Sequence, residues 1–200
     1  MFRALASISL CILWFTGSSA LELLNVKGNI YYFNDDARWS PLTSFGTDHE
    51  PQVSPDHKTV VFVRDKQDTS ELWLMDASGE NQRVILKGRP HGDPKKDLSS
   101  PGHPLFSPDG TLIYFNGGGW ATTCAVYVLD LKTKKTRVVT QGCLSRVVPA
   151  GKYAGHLIVS KRKYFEKDSP YYDYETWLVS REGKDLMLVE DYDQFLRDNP

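Results

Sequence analysis

Beyond its first twenty residues the chain holds no segment of helical period and no apolar run long enough to cross a bilayer. It also lacks an excess of charge of either sign. The 24 basic residues stand against 25 acidic ones, a balance that argues against nucleic acid or an anionic membrane as the main partner. The runs Lys132 to Arg137 and Lys161 to Lys163 read as solvated hairpin tips and strand edges. No Gly-x-Ser-x-Gly elbow is present and no hydrolase domain follows. The glycine run Gly117-Gly118-Gly119 is followed by neither a P-loop lysine nor a helix. What is left is an all-β chain in which chemistry is hard to find.

Residues 1–20 read as a secretory signal peptide: Arg3 is a positive start, Ile8 to Phe15 a short apolar core, and Gly17-Ser18-Ser19-Ala20 a small-residue cleavage site. Cys11 follows Leu10 inside the apolar core, which speaks against a lipoprotein signal. Removal of the leader takes Arg3 with it, leaving 23 basic against 25 acidic residues, a formal charge of −2. The expected location is periplasmic or secreted.

The remainder repeats itself. Ser54-Pro55-Asp56, with Pro51 ahead, returns 53 residues later as Ser107-Pro108-Asp109-Gly110, with Pro104 ahead. Each copy leads into an apolar run (Thr59 to Val63, Thr111 to Phe115) and then a second one (Glu71 to Asp76, Ala125 to Asp130). Pro presets φ in the turn and Asp caps it. His57 stands where the second copy has Gly110, so that turn should be strained or of another type. Val84-Ile85-Leu86 and Val138-Val139-Thr140 supply a fourth strand. Gly155 to Val159, Glu175 to Val179 and Leu186 to Val189 trace a third unit. Asn29 to Phe33 and Pro41 to Thr43 match only the last two strands of a unit. Tyr31 to Thr43, Trp73 to Ile85 and Tyr127 to Val139 are each twelve residues apart.

Four-stranded units repeated in this way are the design of a β-propeller, in which each blade buries its faces against its neighbours. The string Pro-x-x-Ser-Pro-Asp, an apolar strand, then Glu-Leu-Trp-Leu-Met-Asp-Ala-x-Gly resembles the WD40-like repeat of the TolB-type propellers, over roughly residues 25–190. The fold class expected is all-β, a partial β-propeller of four-stranded antiparallel blades. Residues 1–20 form the signal peptide, 21–190 the propeller, and 191–200 a C-terminal tail. The blades lie at about 25–45 (half a blade), 51–88, 103–143 and 147–190. The resemblance implies an adaptor role in bacterial envelope complexes. TolB itself carries a further domain ahead of a six-bladed ring, and this chain does not match that layout.

Two cysteines remain after the leader. Cys124 opens the third strand of its blade and Cys143 lies just past the fourth, and their midpoint falls between Thr133 and Lys134, at the polar hairpin tip. A disulfide across that hairpin is expected, closing a loop of about 20 residues and contributing on the order of 3 kcal/mol.

A blade needs about 45 residues and closed rings hold about four to eight, so three and a half blades should leave an apolar face open at each end. Three outcomes are weighed: a head-to-tail homodimer completing a ring, a short propeller that grips a partner with its open side, and a truncated relict without function.

Function usually lives on loops carried by a rigid scaffold. One face should gather His49 and Glu50, Gly88 to Asp93, His103, Asn116 to Trp120, and the insertion Tyr164 to Tyr174. The candidate binding residues are His49, His91, His103, Trp120, Tyr171, Tyr172 and Tyr174, and the expected partner is a protein or peptide. Each has a plainer reading, as surface histidine or surface-packing aromatic. His49, His91 and His103 with Asp93 match no closed zinc spacing, and no catalytic residue, metal or cofactor is assigned. The rival reading is a propeller-type hydrolase or polysaccharide lyase with a histidine-lined site. Trp73, Tyr127 and Trp177 share one repeated position and are expected in the blade core.

Overall fold

The computed structural model describes residues 22–33, 38–89, 98–118, 124–164 and 172–200. Four antiparallel sheets follow one another along the chain. The first has three strands, β1 (Glu22–Val26), β2 (Asn29–Phe33) and β3 (Trp39–Pro41). The second is β4 (Asp48–Val53), β5 (Thr59–Asp65), β6 (Ser70–Asp76) and β7 (Arg83–Lys87). The third is β8 (Gly102–Phe106), β9 (Leu112–Gly118), β10 (Cys124–Asp130) and β11 (Thr136–Gln141). The fourth is β12 (Cys143–Val147), β13 (Leu157–Tyr164), β14 (Tyr172–Val179) and β15 (Asp185–Leu188). Within each sheet the strands lie in chain order.

The apolar clusters sit between consecutive sheets. Ile30 and Leu42 meet Val60, Phe62 and Met75; Val61, Val63 and Leu72 meet Ile113, Phe115 and Tyr127; Tyr114, Val126 and Val128 meet Leu157, Val159 and Val179. Middle strands such as β5 are therefore buried on both faces, which is why they read as continuous apolar runs rather than alternating ones. Trp73, Tyr127 and Trp177 hold equivalent places opposite Phe62, Phe115 and Val159. Each packs into the cluster shared with the preceding sheet. The fold is a partial β-propeller. Among the described residues no apolar cluster joins the first sheet to the fourth, so the sheets form an open fan.

Both Ser-Pro-Asp turns are closed the same way. The serine hydroxyl donates to the aspartate, at 2.6 Å from Ser54 to Asp56, and accepts the N–H that opens the next strand, from Thr59 and Leu112, each at 3.0 Å. His57 takes φ 58° where Gly110 takes 70°, so the histidine adopts the glycine geometry and bears its strain. The hydroxyls of Ser54 and Ser107, helped by the N–H groups of Lys58 and Thr111, hold the carboxyls of Asp56 and Asp109 below the ordinary carboxylate value. A depressed folded pKa stabilises the fold above the unfolded value of about 3.9, and that contribution is lost as the pH falls through the lower folded value. The double variant Asp56→Ala/Asp109→Ala should therefore lose melting temperature less steeply than the parent below about pH 4. Thermal unfolding across a pH series checks this; parallel acid limbs would acquit the turns.

The second blade holds a buried ion pair between β4 and β5, beside its contact with the first blade. Asp48 and Arg64 are 0% and 2% exposed. The guanidinium donates through Nε to Asp48 Oδ1, and through Nη2 to Asp48 Oδ2 at 2.9 Å and Gln82 Oε1 at 3.1 Å. It lies between the rings of Phe45 and Trp73, 3.8 and 4.2 Å from their centroids. Gln82 in turn donates to the Leu42 carbonyl of the first blade, and the Asp48 N–H donates to Gly28.

Three features differ from the sequence reading. The first sheet has β1 as well as the two strands traced above. The cysteines form the expected disulfide at the open end of the β10–β11 hairpin, with Cα atoms 4.9 Å apart, but Cys143 belongs to the next sheet. The ladder between β10 and β11 bulges at Val126/Tyr127, and past Ala125 opposite Gln141 the Gly142 N–H still donates to the Cys124 carbonyl. Gly142 turns the chain at φ 114°, and Cys143 already begins β12. The bond therefore ties the third sheet to the fourth. Finally, residues Tyr192–Asp198 form a helix, α1, capped by Asp191, whose carboxylate accepts the Gln194 N–H. Phe195 is buried against Val148, Ile158, Leu178 and Val189, so α1 covers part of the outward face of the last blade.

Candidate functional site

Each full blade's first strand carries a bulge at the same place. The register shifts between His49 and Gln52, between Gly102 and Leu105, and between Leu144 and Arg146. In two of them the bulge is a residue at positive φ followed by proline: Glu50 at 50° before Pro51, and His103 at 49° before Pro104. Proline lacks the donor a regular ladder needs, so a bulge is where a strand accommodates it. The bulges touch one another in sequence. The Glu50 carboxylate accepts the His103 backbone N–H, and His103 Nε2 lies 3.2 Å from the Ser145 carbonyl, to which it donates when it carries the proton. A side chain thus reaches from the second blade to the bulge of the third, and from the third to that of the fourth.

Beneath this relay the three strands line a groove with a volume of about 730 Å³. Its floor is apolar, from Val53, Leu105, Phe106 and Val147, and Gln52 and Ser145 add polar groups. Arg146 closes one side, its guanidinium 4.9 Å from the Tyr192 ring centroid on α1. Burial raises the Tyr192 hydroxyl above its ordinary value in spite of the nearby Arg146, so it stays protonated as a donor. An apolar trough with one fixed cation and a few hydrogen-bonding groups suits an extended peptide that carries a carboxylate. A shallower cavity of about 420 Å³ lies on the rim, lined by Glu50, Ser100, Gly102, His103, Asn116 and Gly118 among others.

The structure does not gather the sequence candidates into one site. His49 contacts Asp65, with Nε2 3.1 Å from Oδ1, while His103 serves the relay between bulges. Tyr172 and Tyr174 are exposed on β14 with their rings edge to face at 5.7 Å, and the Arg162 guanidinium stands 4.4 Å from the Tyr172 centroid. Neither tyrosine lines the groove or the rim cavity. His91, Trp120 and Tyr171 lie outside the described residues. Among the described residues no three His, Cys, Asp or Glu side chains stand together as metal ligands would. Gly117 and Gly118 belong to strand β9. A Cβ on Gly117 would meet the Tyr127 ring at 2.8 Å, which accounts for that glycine by packing. Arg146 and Tyr192 escaped the sequence reading because nothing in the chain announces that they meet.

No protein-family model matches the sequence, and no curated protein does. Solved structures match by fold. The β-propeller domain of the Trilobed protease from Pyrococcus furiosus aligns at TM-score 0.54 and 14% identity, over 79% of this chain and 48% of that one. Its description gives it an open velcro topology. An oligogalacturonate lyase from Vibrio parahaemolyticus aligns at TM-score 0.51 and 15% identity, over 79% and 41%. A TolB from Acinetobacter baumannii aligns at TM-score 0.36 and 16% identity, over 79% and 50%. The chain spans half the length of these structures or less. At such identities the likeness concerns the fold alone.

Proposed function

We propose that this chain is an exported propeller module, periplasmic or secreted, that binds a protein or peptide as an adaptor. The observation that carries the reading is the groove of β4, β8 and β12, with its apolar floor and Arg146 seated over Tyr192. A partner segment lying there presents apolar side chains to Val53, Leu105, Phe106 and Val147 and a carboxylate to Arg146. The leader-like residues 1–20 and the disulfide support export, since such bonds persist in oxidising compartments. An exported chain whose mass does not begin close to Leu21 would contradict that part. The ring-completing homodimer is less well supported, because α1 stands on the outward blade face such a ring would need.

Selection from a displayed random peptide library tests the site. The parent chain should enrich acidic peptides with aromatic or aliphatic neighbours. Arg146→Glu should weaken the best of them about tenfold or more, the scale of a lost charge-assisted hydrogen bond. Tyr172→Ala/Tyr174→Ala should leave them unchanged. The reverse pattern would move the site to the tyrosine face of the last blade.

A further inference from the structure

The first blade lacks, among the described residues, a strand that each of the other three has. In those sheets the first strand is innermost, and β4, β8 and β12 pack side by side. β1 lies against β4 as β5 lies against β8 and β9 against β12. β1 is therefore the second strand of its blade, and the inner row stops beside it. It pairs with β2 alone, and no backbone hydrogen bond leaves its other edge among the described residues. Four of its five residues, Glu22, Leu24, Asn25 and Val26, are exposed. Such an edge offers a row of N–H and C=O groups to an added strand.

The relay between bulges says what chemistry belongs there. Glu50 of the second blade reaches forward to the N–H of His103 at the third blade's bulge. Glu50 holds the same bulge, with the same φ and a following proline, yet no side chain reaches its N–H from the first blade among the described residues. The position that would supply one is on an inner strand, which the first blade lacks among the described residues. The two strands that fill this place with proline read Glu50-Pro51-Gln52-Val53 and His103-Pro104-Leu105-Phe106, with an apolar residue third after the bulge.

We infer that the open edge of β1 binds an extended segment of a partner protein, antiparallel to β1, with the pattern acidic–Pro–x–apolar. Its main chain pairs with Leu23 to Val26, its acidic side chain takes the Glu50 N–H, and it continues the row β12, β8, β4. This site is separate from the groove beside Arg146 and does not rest on that reading.

The probe is a fluorescein-labelled peptide with the sequence of residues 47–56, which carries the pattern, titrated into the purified full chain. Saturable binding is expected, with slowed amide exchange at Leu23 and Asn25, whose N–H groups point to the open edge while those of Leu24 and Val26 already serve the ladder with β2. Replacing the peptide's glutamate by alanine should weaken it about tenfold, as for a lost charge-assisted hydrogen bond. A peptide N-methylated at alternate residues along one edge should not bind at all when that edge is the one facing β1. Arg146→Glu in the chain should leave binding unchanged, which separates this site from the groove. Lack of saturation, or protection appearing away from β1, would overturn the inference. So would protection of Leu23 and Asn25, the residues whose N–H groups face away from β2, without peptide, because a second copy or the chain's own leader would then hold the edge.

Discussion

Arg64→Ala is expected to lower stability by about 3–5 kcal/mol, the usual effect of leaving one buried charge without its partner. Asp48 is fully buried, and without the guanidinium its two carboxylate oxygens lose both donors. The stack of Phe45, Arg64 and Trp73 would open at the same time. Asp48→Ala should cost a comparable amount from the other side. The apolar pair Asp48→Leu/Arg64→Met separates two explanations. If the single-variant loss is mainly the stranded charge, the double variant recovers most of it, because well-packed apolar groups replace buried ion pairs at little cost. Denaturant unfolding of the three variants decides the matter. Single variants within about 1 kcal/mol of the parent would show that the pair does not hold β4 and β5 together.

Phe195→Ala should cost about 3–5 kcal/mol, as large-to-small changes at buried aromatic positions do. A seven-residue helix has little stability of its own, so α1 is held by what it covers: Val148, Ile158, Leu178 and Val189. Ending the chain after Glu190 uncovers the part of that face that α1 shields. Size-exclusion chromatography should then show the shortened chain running larger than the parent, as the exposed sheet finds another copy. An unchanged elution volume and an unchanged melting temperature would mean that α1 only rests on the blade.

The blades were legible because the chain repeats its punctuation. Ser-Pro-Asp and the twelve-residue spacing from Trp73 to Ile85 and from Tyr127 to Val139 located the second and third sheets strand by strand. β1 was not legible, since no such turn precedes Glu22 and its apolar residues follow closely on those of the leader. α1 was too short for a 3.6-residue period to show, with one buried phenylalanine as its anchor; Asp191 three residues ahead of Gln194 was the available signal. The cysteine pairing could be read from spacing, but nothing in the spacing shows that Gly142 turns the chain so that Cys143 begins the next blade. Asp48 begins its strand and Arg64 stands one residue from the end of its own, where charge suggests solvent rather than a buried pair. The groove could not be read at all, because it is assembled from three strands that begin at residues 48, 102 and 143. Its faint trace was the proline that recurs at Pro51 and Pro104.

The contacts between bulges extend only one blade at a time: Glu50 touches His103, and His103 touches Ser145. Nearest-neighbour coupling of this kind lets modular proteins change length by whole units. A gene that gained or lost one blade would have to re-match only two junctions, so the number of blades is among the easier properties of this architecture for descent to alter.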